Sequence, residues 1–114
     1  MELSLNQGDI VVVKFPFTDG SQSKNRPVLV LSNTNINNTG DIICMQITSK
    51  FRDDLLTFPL HTNDLDSPLP LQSYLRLHKI FSIDKQLITK NISALKKQTF
   101  DLVIDLLFKT IQNK

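Results

Sequence analysis

The sequence has one cysteine, no tryptophan and two histidines. A single cysteine can form neither an internal disulfide nor a cysteine-rich zinc site. His61 and His78 lie seventeen positions apart, without a metal-binding spacing. The chain has neither a Gly-x-x-x-x-Gly-Lys-Ser/Thr loop nor a Gly-x-Gly-x-x-Gly turn, which argues against a nucleotide cofactor. We therefore expect no cofactor and no metal.

Long apolar segments are also lacking. No run approaches the roughly 18–20 residues that span a bilayer. The N-terminus, MELSLNQGDI, has no basic start and no long apolar stretch of a signal peptide. We expect a cytoplasmic protein that does not bind membranes. The 114 residues fit a single domain spanning 1–114.

The net charge of +2 is small, but its distribution is uneven. Residues 53–66 carry four acids and no Lys or Arg, whereas residues 76–97 carry six bases and one acid, Asp84. A basic face would attract phosphate-bearing ligands. The alternative is that these lysines coat a solvated surface.

The hydrophobic pattern predicts a mainly β protein. Six segments are expected to be strands: 9–15, 26–32, 41–48, 55–61, 73–83 and 87–93. A loop of about ten residues (15–25) should separate the first two strands, and an asparagine-rich turn should precede the third. The alternation of 73–83 breaks near Lys79, which predicts a bulge or bend.

A helix should follow from Lys96 or Lys97, because apolar residues then recur at helical spacing. They are Phe100, Val103, Ile104, Leu107 and Ile111. Leu102, Leu106 and Phe108 widen this stripe, which indicates either deep burial or contact with another chain. The economical architecture is a small antiparallel barrel with a C-terminal helix.

Two polar sites suit phosphate chemistry. Arg26 stands directly before Pro27 at the mouth of the first loop, and its planar guanidinium suits a phosphate. The alternative is an exposed strand-end charge or a structural ion pair. Thr48 and Ser49 end the third strand beside Lys50; their hydroxyls can hold a phosphate or ribose hydroxyl, or simply cap the strand.

Arg76 and His78 share one face of the fifth strand because they are two residues apart. Histidine transfers protons near neutral pH, although a lone strand histidine is more often a surface or packing residue. Cys44 lies in an apolar strand and is expected in the core. Arg26, Thr48 and His78 together suit metal-free RNA cleavage by the ribose 2′-hydroxyl.

Five segments occur in an order that resembles a known family. They are QGDIVVVKFPF with Gly8-Asp9, DGSQSKNRPVLVLSN with Arg-Pro, MQITSK with Ile-Thr, SYLRLHKIFSIDKQLI with Ile-Asp-Lys, and a closing helix. The chain resembles the MazF/PemK family of toxins from type II toxin–antitoxin systems over nearly its whole length.

The resemblance implies a small SH3-like antiparallel barrel, of the kind shared by MazF and CcdB, that forms a cytoplasmic homodimer. It implies a metal-independent, sequence-specific endoribonuclease that cleaves single-stranded RNA or mRNA by 2′-hydroxyl attack. A cognate antitoxin would block the RNA groove, and DNA would be contacted only through the antitoxin complex.

The resemblance also assigns site residues. The family's catalytic arginine falls on Arg26 and its catalytic threonine on Thr48. At position 78, where some members carry a catalytic acid, this chain has histidine, so His78 is the third catalytic candidate. The expected RNA-binding residues are Phe17, Ser21, Ser23, Lys24, Ser49, Lys50, Arg76 and Lys79, of which the first four belong to a loop similar to the one that covers bound RNA.

A second hypothesis comes from another class of toxin. CcdB-like toxins share a similar barrel but inhibit DNA gyrase by binding, through C-terminal residues of the last helix and without nuclease activity. The C-terminal sequence FKTIQNK gives no specific reason to prefer that mode, whereas Arg26-Pro27 and Thr48 favour the nuclease. A third hypothesis is an inactive barrel that only binds RNA or antitoxin.

Overall fold

The computed structural model describes residues 5–16 and 23–113. In these ranges the chain forms six β-strands and two α-helices. The strands are β1 (Asp9–Pro16), β2 (Ser23–Val30), β3 (Asp41–Thr48), β4 (Thr57–Leu60), β5 (Ser73–Asp84) and β6 (Ile88–Ala94). The helices are α1 (Thr34–Asn37) and α2 (Lys97–Ile111).

All six strands lie antiparallel in one sheet, in the order β4-β5-β3-β2-β1-β6. In the described part of the chain the two edge strands do not pair with each other. Instead, the segment after β4 reaches β6: the Asp66 N–H donates to the Ala94 carbonyl at 2.9 Å, and the Ser67 N–H donates to the Ser93 hydroxyl at 3.1 Å. The predicted antiparallel β fold with a C-terminal helix is confirmed; the described sheet is barrel-like but not closed, and this short segment bridges its two edges.

The sheet buries apolar residues on both faces, because successive side chains of a strand point in opposite directions. On one face, Ile10, Leu29 and Met45 pack in the same cluster as Phe100 and Val103 of α2. A second cluster consists of Val11, Val13, Val28, Val30, Ile42 and Cys44. Burial raises the pKa of the Cys44 thiol to about 12, which keeps it protonated and confirms its prediction as a core residue.

The first loop is shorter than the sequence predicted. The ladder between β1 and β2 runs to the pair Pro16 and Ser23, so residues 23–25 belong to a strand rather than to the loop. Their turn-forming composition favoured a loop, but pairing with β1 outweighs that local preference.

A proline ends the ladder between β2 and β3. Leu31, directly after β2, donates its N–H to the Ile43 carbonyl at 2.8 Å. The backbone N–H groups of the odd-numbered residues of β2 therefore point toward β3. The backbone nitrogen of Pro27 also points toward β3, but a proline has no N–H to donate to that strand. The last cross-strand pair is Val28 with Gln46. Beyond it, residues 23–27 of β2 and residues 47–48 of β3 are not paired with each other. This opening between β2 and β3 creates the groove described below.

The bulge predicted near Lys79 is present in β5. Met45 of β3 pairs with Ile80, but Ile47, only two residues further on, pairs with Leu75. The intervening residues of β5 turn toward the edge of the sheet, where Leu77 donates its N–H to the Leu56 carbonyl at 2.9 Å. Part of this strand therefore leaves β3 and pairs with β4 alone.

The two helices differ in how well the sequence predicts them. α2 begins at Lys97 as expected and buries Phe100, Val103 and Leu107. Ile111, the last residue of the predicted apolar stripe, also ends the helix, where its side chain is 64% exposed. α1 replaces the expected asparagine-rich turn, because the Asn33 side chain caps it by accepting the Asn35 N–H. Among the described residues, neither helix is long and apolar enough to cross a membrane.

Candidate active site

The groove between the separated halves of β2 and β3 has a volume of about 810 Å³. Its walls come from both strands, from β6, and from the segment between β4 and β5. Among the predicted site residues, the ones that line it are Lys24, Arg26, Thr48, Ser49 and Lys50. The tertiary structure therefore brings together residues that stand more than twenty positions apart in the sequence.

Arg26 projects from β2 at the point where the strand separates from β3. It lies opposite Val13 of β1 in the ladder and is half-buried. Among the described residues, no carboxylate forms an ion pair with Arg26. The alternative prediction, a structural ion pair of Arg26, is therefore not supported within residues 5–16 and 23–113. Arg26 lines the groove, and the planar donor fork of a guanidinium suits an anion there.

Thr48 faces the same opening from the end of β3. Arg26 and Thr48 each lie two residues beyond the last cross-strand pair, Val28 with Gln46, and both line the groove. The Thr48 hydroxyl oxygen accepts the N–H of Lys50 at 3.1 Å. Because a hydroxyl donates one hydrogen bond in addition to those it accepts, its proton stays available to a ligand. The same turn sets Ser49 and Lys50 at the mouth of the groove.

The charged residues that the structure describes along the groove all carry positive charge. Within residues 5–16 and 23–113, five cationic side chains and no aspartate or glutamate line it: Lys24, Arg26, Lys50, Arg52 and Lys90. Such a one-sided lining raises the local concentration of anions and suits a chain of phosphates. The net charge of +2 for the whole protein does not reveal this cluster of cationic side chains.

Three of the predicted residues lie elsewhere. Arg76 is buried, and its Nη1 donates to both carboxylate oxygens of Asp54, at 3.1 and 3.2 Å, and to the Thr57 hydroxyl. His78 and Lys79 are exposed on the bulge of β5 and do not line the groove. Arg76 therefore has a structural partner in this chain, and His78 does not join Arg26 and Thr48.

The contacts of Asp54 hold its pKa below the usual range. The Thr57 hydroxyl donates to this carboxylate at 2.8 Å, the Leu56 N–H donates at 3.0 Å, and the Arg76 guanidinium adds an opposite charge. The ionised carboxylate ties the connection between β3 and β4 to β5. Since that connection begins with Ser49 and Lys50, the Arg76 contact fixes the far end of a segment that lines the groove.

Some predicted residues cannot be compared with the structure. Phe17 and Ser21 lie outside the described residues. Ser23 is described only as the first backbone position of β2. Their predicted contacts with RNA stay predictions.

Sequence reasoning missed several groove residues. Arg52 and Lys90 carried only the general signal of a basic residue, and their proximity depends on pairing across the sheet. Nothing in the sequence indicated that an apolar segment would form one wall of the groove. That segment consists of Pro68, Leu69, Pro70 and Leu71. This segment reaches the groove because it connects β4 to β5 past the end of β6.

A cationic groove walled by an arginine and a threonine, in a small antiparallel β-sheet protein, has the charge and donor groups that suit phosphate-bearing ligands. The family model described as PemK-like, MazF-like toxin of type II toxin–antitoxin system matches residues 6–110. The chain therefore belongs to this toxin family, which confirms the resemblance seen in its motifs.

Solved structures with the same fold include several such toxins. A mycobacterial endoribonuclease in complex with its cognate antitoxin is 16% identical, with a TM-score of 0.76 over 97% of this chain and 100% of that one. The MazE–MazF complex of Deinococcus radiodurans (Form-II) is 19% identical, with a TM-score of 0.81 over 96% and 97%.

A third similar structure is the Mycobacterium tuberculosis toxin MazF-mt6, 17% identical, with a TM-score of 0.70 over 89% of this chain and 93% of that one. No curated protein matches the sequence.

Proposed function

We propose that this toxin is a metal-independent endoribonuclease that cleaves single-stranded RNA at short sequences by attack of the ribose 2′-hydroxyl. The observation that carries the proposal is that Arg26 and Thr48 flank one groove whose charged residues, in the described part of the chain, are all cationic. The structures of similar fold include proteins described as endoribonucleases, which agrees with this choice of substrate.

The reaction requires charge stabilisation at phosphorus. The 2′-oxygen forms a bond to phosphorus, the bond to the 5′-oxygen breaks, and the products are a 2′,3′-cyclic phosphate and a 5′-hydroxyl. One proton leaves the 2′-oxygen and one reaches the departing 5′-oxygen. Negative charge meanwhile builds on the non-bridging oxygens, where the Arg26 fork would donate two hydrogen bonds.

Thr48 would act beside this clamp as a hydrogen-bond donor. Its oxygen accepts the Lys50 N–H, so its single proton would be donated to a phosphate oxygen or to the 2′-oxygen of the bound ribose. His78 lies outside the groove of its own chain, and this scheme gives it no step. Lys24, Lys50 and the other groove cations would hold the flanking phosphates.

The proposal is tested with a mixed-sequence single-stranded RNA, in excess EDTA, and the purified wild-type protein. Wild type should cut the RNA and leave 2′,3′-cyclic phosphate ends. Arg26→Ala should lose about a hundredfold or more in rate, since it removes a preorganised donor to the transition state. Lys109→Ala removes one positive charge from the exposed surface of α2 and should cut at the wild-type rate.

A folded wild-type protein that leaves all such RNAs intact would contradict the nuclease and favour a CcdB-like toxin that acts by binding. Cutting that Arg26→Ala retains would place the chemistry elsewhere in the protein. Cutting that stops in EDTA and returns with a divalent cation would contradict the metal-independent scheme.

We also propose that the toxin is a cytoplasmic homodimer that binds a cognate antitoxin and reaches DNA only within that complex. Two exposed apolar side chains of α2 support a protein partner: Leu102 is 49% and Phe108 is 59% exposed. Two solved structures of similar fold are described as complexes with an antitoxin or with MazE. Light scattering at micromolar concentration should give twice the chain mass of 13.0 kDa; a monomer mass would contradict the dimer.

A further inference from the structure

An exposed aromatic ring stands directly beside the groove. Phe51 follows the groove residues Ser49 and Lys50, and 65% of its surface is exposed. Its ring meets that of Tyr74 edge to face, with 5.7 Å between the centroids and 62° between the planes. The contact fixes the orientation of the ring while leaving much of its surface open to solvent.

The sheet register places this aromatic pair next to Thr48. Tyr74 of β5 is the cross-strand partner of Thr48. Opposing residues of an antiparallel pair project from the same face of the sheet, so the Tyr74 ring and the Thr48 hydroxyl are neighbours on one face. The Phe51 ring, which rests on Tyr74, therefore stands at the rim of the groove on the Thr48 side.

A second contact holds the same segment in place. Arg76 is two residues beyond Tyr74 in β5, and its guanidinium binds the Asp54 carboxylate at 3.1 Å. Residues 51 and 54 are thus both attached to β5, by a ring contact and by an ion pair. The Phe51 ring therefore lies in a segment that contacts β5 at two points.

The residues on either side of Phe51 indicate what its ring would meet. Lys50 and Arg52 both line the groove, and each suits a phosphate. A single-stranded nucleic acid whose phosphates follow these cations carries its bases within reach of the rim. Aromatic rings beside cationic grooves stack on such bases, because each base has an open π-face.

We propose that Phe51 is a base-stacking residue for the nucleotide that adjoins the scissile phosphate, with Tyr74 as the support of its ring. The inference rests on the proposed RNA substrate but adds a contact to the base, which neither Arg26 nor Thr48 supplies. Stacking of this kind strengthens binding of bases without requiring a particular one.

The test uses two single-stranded 12-mers that the protein cannot cut. One is a mixed-sequence RNA with 2′-fluoro in place of every 2′-hydroxyl. The other has the same number of phosphates on abasic tetrahydrofuran units. Phe51→Ala should weaken binding of the base-bearing 12-mer roughly tenfold and leave binding of the abasic 12-mer unchanged.

Two further variants separate stacking from other effects. Phe51→Trp keeps a stacking ring and should bind both 12-mers as wild type does. Leu55→Ala removes a side chain that is 96% exposed in the same segment but has no π-face, and it should also bind both as wild type does. Circular dichroism confirms that each variant is folded.

Equal weakening of both 12-mers by Phe51→Ala would overturn the stacking role. Weaker binding of the abasic 12-mer would mean that the substitution disturbs the cationic groove. Unchanged binding of both would overturn it as well. Either result leaves the nuclease proposal standing if Arg26→Ala still loses cleavage. A wild type that binds neither 12-mer and cuts no RNA would overturn both proposals.

Discussion

Replacing Lys90 by alanine should make RNA binding less sensitive to salt. Lys90 lies in β6, where Val12 of β1 is its ladder partner, and its side chain lines the wall of the groove. Nothing in the sequence assigned it to the site. Its effect on binding therefore tests the groove as the tertiary structure assembles it.

The magnitude follows from the number of cations. For single strands, the logarithm of the binding constant falls with the logarithm of salt concentration by about 0.7 for each phosphate neutralised. If each of the five groove cations neutralises one phosphate, the slope is about −3.5. A rise from about 50 to about 200 mM KCl then weakens binding roughly 130-fold. Without Lys90 the slope is about −2.8, and the same rise weakens binding about 50-fold.

Fluorescence anisotropy of the 2′-fluoro 12-mer across a KCl series measures both slopes. Lys109→Ala is the matched control, because it also removes one positive charge but lies on α2, outside the groove. Its slope should equal that of wild type. A Lys90→Ala slope as steep as wild type would refute the reasoning, since Lys90 would then contact no phosphate. An equal reduction by Lys109→Ala would show that net charge, and not the groove, governs binding.

Two further predictions concern stability. Asp54→Asn should lower the unfolding temperature at neutral pH. The pKa of Asp54 is lower in the folded protein than its ordinary value of 3.8. The stability that the ionised carboxylate contributes is therefore complete above pH 3.8 and is lost as pH falls through the folded pKa. The difference between variant and wild type should therefore shrink in acid, and a difference independent of pH would contradict the ionised contact. Leu75→Ala should cost about 2–5 kcal/mol in urea unfolding, since Leu75 is fully buried, whereas Leu55→Ala should cost less than about 0.5 kcal/mol; similar costs for both would contradict the assigned core.

Most of the secondary structure was predictable because its signals are local. The β-branched run of β1, the apolar strand β3 and the helical spacing of α2 each lie within one element. The bulge in β5 also left a local mark, where alternation fails near Lys79. The errors occurred where pairing outweighs composition, as at residues 23–25, or where side-chain caps build a short helix, as at Asn33.

The site was predictable in part for a different reason. Arg26 and Thr48 are marked by their motifs, so the resemblance to the toxin family could select them without a fold. The same resemblance could not show that Arg76 is turned toward Asp54, because an ion pair across 22 positions depends on how the segment before β4 folds over β5. It also could not show that His78 stands outside the groove.

The sequence by itself determined the β pattern, the closing helix and the family of this toxin, because hydrophobic period and ordered motifs are written along the chain. Only the tertiary structure decided which charges meet. The loss of pairing between β2 and β3 at Pro27 opens the groove. The pairing of β6 with β1 brings Lys90 to it, and the connections on either side of β4 bring Arg52 and residues 68–71. These contacts depend on register and pairing between distant segments, which no local pattern records.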